Sequence, residues 1–426
     1  MWLRTTALAV FAAVSCLSAA AQPPETLTLD DAFARVAQSH PDLRLLEGQR
    51  NVLFAERDRA VLRPGLVAGL SAENVLGNGD ASGFKQAEIS LTLAGVLERG
   101  GKLDARRTLA QARIDALAVQ RETKRLDLLA EVARRYLAIN AAQDQRRIAD
   151  LDVMQRQRTV SGARQRLVAG ASPESVLLTA QAALARAEME RDRATQRGAA
   201  ARQHLAALWG ERNPVFAIVA GDPLALPAVA EFAELDALLA GTPEIARFAD
   251  EQRIGEARLQ LARSRATPDL DWQVGVRRLQ ATDDFALIGS VSMPLGAVRR
   301  ARPDLRAAEA ELALVGIERE AQGLSLYSTL AEAHGRYRVA QFEVVRLQSD
   351  VLPKLAKAEN AAERAYRGGA LSYMEWAFLQ SERTTARKQQ LESALEAQRA
   401  LIEIQRLTGQ AFVASPASQT NQETTP

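Results

Sequence analysis

The chain has 426 residues, with Lys+Arg 54 against Asp+Glu 52, so its net charge is close to neutral. The charges are interspersed rather than blocked, which suits long solvated helix faces and argues against a nucleic-acid partner. Cys16 is the single cysteine and lies in the amino-terminal leader, so removal of that leader excludes disulfide, zinc-thiolate and cysteine-nucleophile chemistry.

Arg4, the apolar run Ala7 to Leu17 and the small residues Ser18-Ala19-Ala20-Ala21 read as an export signal over 1–21, cleaved after Ala21. The apolar run is shorter than the roughly 20 residues a spanning helix needs, and no later run reaches that length. A rival reading makes Cys16 a lipidated amino terminus, but Ala13-Val14-Ser15 before it is a poor lipobox.

The rest of the chain is one unit used twice. Pro41-Asp42-Leu43 corresponds to Pro243-Glu244-Ile245, and Arg63-Pro64-Gly65-Leu66 to Thr267-Pro268-Asp269-Leu270. Glu131-x-x-x-Arg135-Tyr136 corresponds to Glu332-x-x-x-Arg336-Tyr337, Gly170-Ala171 to Gly369-Ala370, and Leu208-x-Gly210 to Leu407-x-Gly409. The matches keep their order and their spacing drifts only by small indels, which identifies a duplication. The repeats read as 22–212 and 231–410. A proline-bearing linker, 213–230, joins them, and a polar tail, 411–426, reads as disordered.

Each copy opens on a helix. The first starts near Thr28, breaks at His40-Pro41 and runs to about Leu62, while the second spans roughly Glu234 to Ala266. Pro64 and Pro268 stop them, because proline cannot continue the hydrogen-bond ladder. Two strands of period two follow. In the second copy Leu270, Trp272, Val274 and Val276 alternate with Asp271, Gln273, Gly275 and Arg277, and Phe285, Leu287, Gly289 and Val291 form the partner strand. In the first copy Leu66, Ala68, Leu70 and Ala72 are answered by Ala87, Ile89, Leu91 and Leu93. The turn-rich connectors are 76–83 and 280–284. Gly77-x-Gly79-x-x-x-Gly83 has the wrong spacing for a nucleotide loop and precedes a strand, so it reads as a hairpin loop.

Long helical stretches come next, Gly101 to Arg166 and Leu305 to Tyr366, each on the order of 100 Å long. After a tight turn a second helix returns, Pro173 to Leu208 or Ser372 to Leu407. Leu126, Leu129, Ala133 and Tyr136, and again Leu177, Ala180, Leu184 and Ala187, step by three and four as a packed seam does.

Four strands of about ten residues can each cross a bilayer at a tilt. Alone they cannot close a barrel, and an open edge in lipid leaves backbone groups unpaired. Either they are ordinary hairpins, or several chains pool them, and three chains give twelve. The export signal, the duplication and the long paired helices favour pooling, so the expected fold is mainly α with membrane β; its closure as a long coiled-coil α-barrel plus four strands per chain, a 12-stranded barrel in a trimer, is what the family resemblance given next implies.

The chain resembles the TolC-like outer-membrane efflux family from Leu27 to about Gly409. The resemblance rests on Leu27-Thr28-Leu29-Asp30-Asp31-Ala32, Pro41-Asp42-Leu43, the helix-ending Pro64 and Pro268, and the duplicated order of elements. Gly100-Gly101-Lys102 and Met293-Pro294-Leu295 are most like the CzcC-type branch, which serves metal-cation pumps of the resistance-nodulation-division type. In place of that family's Gly-Lys-Arg stands Gly101-Lys102-Leu103, and the Asn-Gly after the second Pro-Leu is missing. The resemblance implies a homotrimer in outer-membrane lipid, helices extending into the periplasm, a periplasmic adaptor (membrane fusion) protein and an inner-membrane transporter. The duct of a type I protein secretion system and a periplasmic adaptor are the alternative readings.

The two helix turns are the candidate gating and docking tips: Gly170, Ser172, Pro173 and Glu174 in the first copy, Gly369, Leu371, Ser372 and Glu375 in the second. Gly170 suits a positive-φ helix end, Ser172 a cap with Pro173 at the first helical position, and Ser372 with Glu375 a capping box. Good capping alone also accounts for these residues. Three copies of Glu174 or Glu375 would form an acidic ring favouring cations. His40, His204 and His334 lack ligand spacing, so no metal site is expected. There is no phosphate loop, nucleophile elbow or paired catalytic carboxylate in the sequence. The chain therefore reads as a conduit without catalytic residues or a cofactor.

Overall fold

The computed structural model describes residues 25–219 and 221–412. The export signal read over 1–21, Cys16 within it, and the tail beyond residue 412 lie outside the described residues.

A short strand β1 (Glu25–Leu27) leads into α1 (Leu29–Ser39), which starts on a capping box between Thr28 and Asp31. The His40-Pro41 break is present, because the residue before proline is forced out of the helical region. His40 then caps α2 (Pro41–Ala60) by accepting from the Asp42 N–H at 3.2 Å. In the second half the expected single helix is also two: α6 (Phe232–Leu239) and α7 (Pro243–Ser264). Pro243 has the same effect there, and Thr242 is extended at ψ 151°.

Strands β2 (Val67–Glu73), β3 (Glu88–Leu97), β5 (Leu270–Leu279) and β6 (Asp284–Ser292) make one antiparallel sheet in the order β2-β3-β5-β6. The β3–β5 ladder, from Glu88 opposite Leu279 to Leu97 opposite Leu270, joins the two repeats. The outer edges of β2 and β6 have no partner within the described residues.

Below the sheet run α3 (Lys102–Asp115) and α4 (Leu117–Val168), interrupted only at Ala116, and α5 (Glu174–Ala206) returns. The second half has α8 (Ala297–Arg346), α9 (Leu352–Arg367) and the returning α10 (Tyr373–Thr408). A π-helical turn, Leu347–Val351, separates α8 from α9 where one continuous helix is expected. Pro353 explains it: proline lacks the N–H, and its ring opposes the carbonyl four residues earlier, so the turn widens.

Part of the segment read as a linker, 213–230, is regular. Strand β4 (Phe216–Ile218) pairs in parallel with β1. The duplicated tyrosines fasten the segment at two points. Tyr136 donates to the Leu27 and Val219 carbonyls, at 3.1 and 3.0 Å, and Tyr337 donates to the Pro227 carbonyl. Burial pushes both phenols up to about 12. Each tyrosine anchors one of two matching cores, the first with Leu27, Val132, Ile139 and Leu205, the second with Leu235, Leu330, Ala397 and Ile404.

Candidate functional site: the sheet and the helix tips

The register sorts the sheet residues onto two faces. Directly opposed residues in an antiparallel pair share a face. Leu91 opposes Leu70 and Val276, and Val276 opposes Leu287. Leu93 opposes Ala68 and Val274, while Trp272 opposes Gly95 and Val291. Apart from Arg278 at the loop end, between Ile89 and Phe285, one face is thus apolar across all four strands, and it is uncovered: Leu70 is 76% exposed, Leu287 88% and Val291 67%. The other face carries Ser71, Glu73, Glu88, Ser90, Thr92, Gln273, Arg277 and Ser290, with Val67, Val96, Leu279 and Ile288 among them. There Arg277 donates to Glu88 at 2.6 Å and to the Ser90 hydroxyl at 2.9 Å. A sheet with its charges on one side and a bare apolar surface on the other has the two-faced pattern of a membrane barrel wall. Among the described residues no helix is long and apolar enough to cross a membrane.

Where the sheet meets the helices the chain turns tightly. Gly100 and Gly101 both have positive φ, +73° and +71°. A side chain at Gly100 would lie 2.6 Å from Thr267 Cβ and 2.9 Å from the Ser264 carbonyl, so the close approach requires glycine. Arg106 forms a two-pronged pair with Glu98, at 2.6 and 2.8 Å, and holds its carboxyl below the usual range. Lys102 reaches Asp269 at 2.8 Å, tying the first repeat to the second.

At the far end the two helix turns share their first half. Gly170 and Gly369 adopt φ of +69° and +78°. The N–H groups of Ala171 and Gly170 donate to the carbonyls of Arg166 and Leu167, at 2.8 and 2.9 Å. Ala370 and Gly369 do the same to Ala365 and Tyr366, at 2.9 and 3.1 Å, so both incoming helices end on the same glycine motif. The second halves differ. Ser372 and Glu375 form the expected capping box, whose hydrogen bonds hold the Glu375 carboxyl below its usual range. Ser172 does not cap α5. Pro173 is the N-cap residue, no side chain bonds the first turn, and the helix begins at Glu174. Ser172 thus stands one residue too early for its hydroxyl to serve the first turn. Glu174 and Glu375 are exposed, and Leu371 packs on a small tip core with Tyr366, Tyr373 and Trp376.

Above the tips a buried polar strip, absent from the sequence reading, joins the two hairpins. Arg156 on α4 donates to Asp152, Gln380 and Ser381 at 3.2 to 3.3 Å, and Gln380 donates to Thr159 at 3.2 Å. Partners more than two hundred positions apart carry no local sequence signal. The histidines stay separate: His40 caps a helix, His334 packs beside Phe232, and the His204 carbonyl accepts from Arg135. No group of three potential metal ligands occurs among the described residues.

Comparison with known proteins points the same way. Residues 33–211 match the family described as outer membrane efflux protein. The cobalt-zinc-cadmium resistance protein CzcC of Cupriavidus metallidurans is 29% identical over 289 residues, 68% of each chain. The crystal structure of CusC superposes with a TM-score of 0.74 at 18% identity, covering 90% of this chain and 92% of that one. The outer-membrane channel OprN gives 0.71 at 20% identity, covering 90% of each chain. The outer membrane protein VceC of Vibrio cholerae gives 0.70 at 15%, covering 90% of this chain and 97% of that one. At these identities the structures speak for the fold.

Proposed function

We propose that this chain is a member of the outer membrane efflux protein family and supplies one third of an exit duct in the outer membrane of a Gram-negative cell. The observation that carries the reading is the two-faced sheet with free edges on β2 and β6. In hydrocarbon each unpaired backbone group costs several kcal/mol, so the edges must meet other edges. Pairing β6 of one copy with β2 of the next closes the wall after three copies, as twelve strands. The hairpins α4–α5 and α8–α10 then extend as a tunnel into the periplasm.

The cargo follows from the CzcC relative: divalent cations of the cobalt, zinc and cadmium type. The duct is passive. An inner-membrane transporter of the resistance-nodulation-division type supplies the energy, and a periplasmic adaptor joins the two. The tips at Gly170, Ser172, Pro173 and Glu174 and at Gly369, Leu371, Ser372 and Glu375 are the docking and gating surface. Three copies of the exposed Glu174 and Glu375 would present acid to an arriving cation. The unequal caps support a division of labour, the fixed capping box on one hairpin and the uncapped helix start on the other. Export of the chain follows from the signal read over 1–21 and cleaved after Ala21.

Deletion of the gene tests the reading. The strain should become sensitive to cobalt, zinc or cadmium, and the full chain should restore tolerance from the outer-membrane fraction. Unchanged metal tolerance would overturn the cargo, and recovery of the chain in the soluble periplasm would overturn the duct.

A further inference from the structure

The apolar face of the sheet stops at its helix end, and the residues beyond that rim are of another kind. Along β3 the apolar face runs from Ile89 to Leu97, about 27 Å of strand and ~20 Å of height at the tilt of a barrel strand, close to the apolar band of a membrane barrel. Trp272 lies across Gly95 near the lower edge of this band, where an added Cβ at Gly95 would fall 2.9 Å from the indole ring. It is half-buried, and its indole N–H makes no hydrogen bond among the described residues. A tryptophan at the edge of an apolar band, with an apolar body and a polar N–H, is an interfacial anchor.

Just past the band the chain turns basic. The four junctions between helices and strands, 61–66, 98–102, 263–269 and 293–302, carry one, two, two and three bases in turn, against only Glu98 and Asp269. Both acids are taken, Glu98 by Arg106 and Asp269 by Lys102. Arg63, Arg99, Arg263, Arg299, Arg300 and Arg302 are exposed, and none makes an ion pair among the described residues. At the opposite end of the sheet the connectors 74–87 and 280–284 carry Lys85 against Asp80, Asp283 and Asp284. The basic excess therefore belongs to one rim only.

Arg99 stands on the apolar side of that rim. Its guanidinium touches the Met293 sulfur at 3.9 Å, and Met293 follows Val291 by two residues, in phase with the apolar row of β6. Leu97, two residues before Arg99 on the apolar row of β3, is 55% exposed. A metal cation would be repelled here, and a soluble anion would leave the bare apolar row without a partner. An acidic headgroup carried on acyl chains complements both, since anionic lipid attracts arginine at a membrane surface.

We propose that this rim, with Arg99 and Trp272 at its centre, is a binding surface for an acidic phospholipid of the inner leaflet of the outer membrane. The phosphate lies against the arginine and the acyl chains against the row of Leu97 and Met293. The proposal rests on the barrel reading above and adds to it the lipid class and the residue that selects it.

The test is tryptophan quenching in vesicles. The purified full chain is reconstituted in phosphatidylcholine containing a rising fraction of either brominated phosphatidylcholine or brominated phosphatidylglycerol. Bromine on the acyl chains quenches nearby indoles. Trp272 is the one tryptophan of the sheet, while Trp209 and Trp376 lie among the helices, so Trp272→Phe should remove the quenching. In the wild type the phosphatidylglycerol should quench more strongly than the phosphatidylcholine. Arg99→Gln should cut that preference about fivefold, the share of one arginine at an anionic surface. Arg99→Lys keeps the charge and Lys85→Gln lies at the other rim, so both should retain it. Equal quenching by the two lipids, or an unchanged preference in Arg99→Gln, overturns the proposal and leaves the barrel standing. No quenching by either lipid overturns the barrel reading and the proposal with it.

Discussion

Leu287 sits near the middle of β6, opposite Val276, with its side chain 88% exposed. In a water-soluble protein Leu287→Arg would be neutral or mildly helpful. In a barrel wall it places a charge near the bilayer midplane, at about 2–4 kcal/mol per copy. Three copies per closed barrel raise that to roughly 6–12 kcal/mol, comparable to the whole stability of a typical domain. Ser290→Arg is the matched control, since Ser290 opposes Gln273 on the polar face and its charge would meet water. The assay is heat-resistant assembly in the outer-membrane fraction, followed by urea unfolding in lipid vesicles. Leu287→Arg should abolish or strongly reduce assembly while Ser290→Arg assembles as wild type. Normal assembly of Leu287→Arg with failure of Ser290→Arg would show that the faces are assigned the wrong way round, and normal assembly of both would show that the sheet never enters lipid.

Gly100→Ala should cost more than Gly101→Ala. Both strain a positive φ by about 1–2 kcal/mol, but only at Gly100 does the added carbon collide, with Thr267 and the Ser264 carbonyl; urea midpoints compare them. Ser372→Ala should lose about 1 kcal/mol with its capping box, whereas Ser172→Ala should lose nothing, read as amide exchange in the first turns of α10 and α5. Glu98 is held below its usual range by Arg106, so its stabilising contribution is full above the unfolded carboxyl value near pH 4.3 and is lost as pH falls through the lower folded value. Glu98→Gln should therefore flatten the acid limb of the stability profile below about pH 4. Tyr136→Phe and Tyr337→Phe should each destabilise, by about 1–3 kcal/mol, because buried carbonyls of 213–230 and of Leu27 lose a donor.

Much of this architecture was legible because it is carried by local rules. The alternation from Leu270 to Val276 carries both the strand and the face its apolar residues share, and the tyrosine recurring after Glu-x-x-x-Arg marks the duplication, though its anchoring bonds to distant carbonyls do not show in the sequence. Gly170 and Gly369 announced helix ends because only glycine takes that φ readily. What escaped depended on distance or on one residue of phase. Phe216-Ala217-Ile218 is too short and too proline-flanked to read as a strand until β1 lies beside it. Pro243 marks the repeat, but the periodicity on either side of it continues, so the break it makes at Thr242 shows only in the structure. Ser172 had the right chemistry, one position too early. The strip around Arg156 exists only once the two hairpins are side by side.

The central claim is that three copies close one wall through the free edges of β2 and β6. Single-channel conductance of the purified full chain in a planar bilayer, with its mass measured in detergent, tests this most directly. The account predicts a species of three chains and discrete conductance steps; a monomer that leaves the bilayer silent would contradict it.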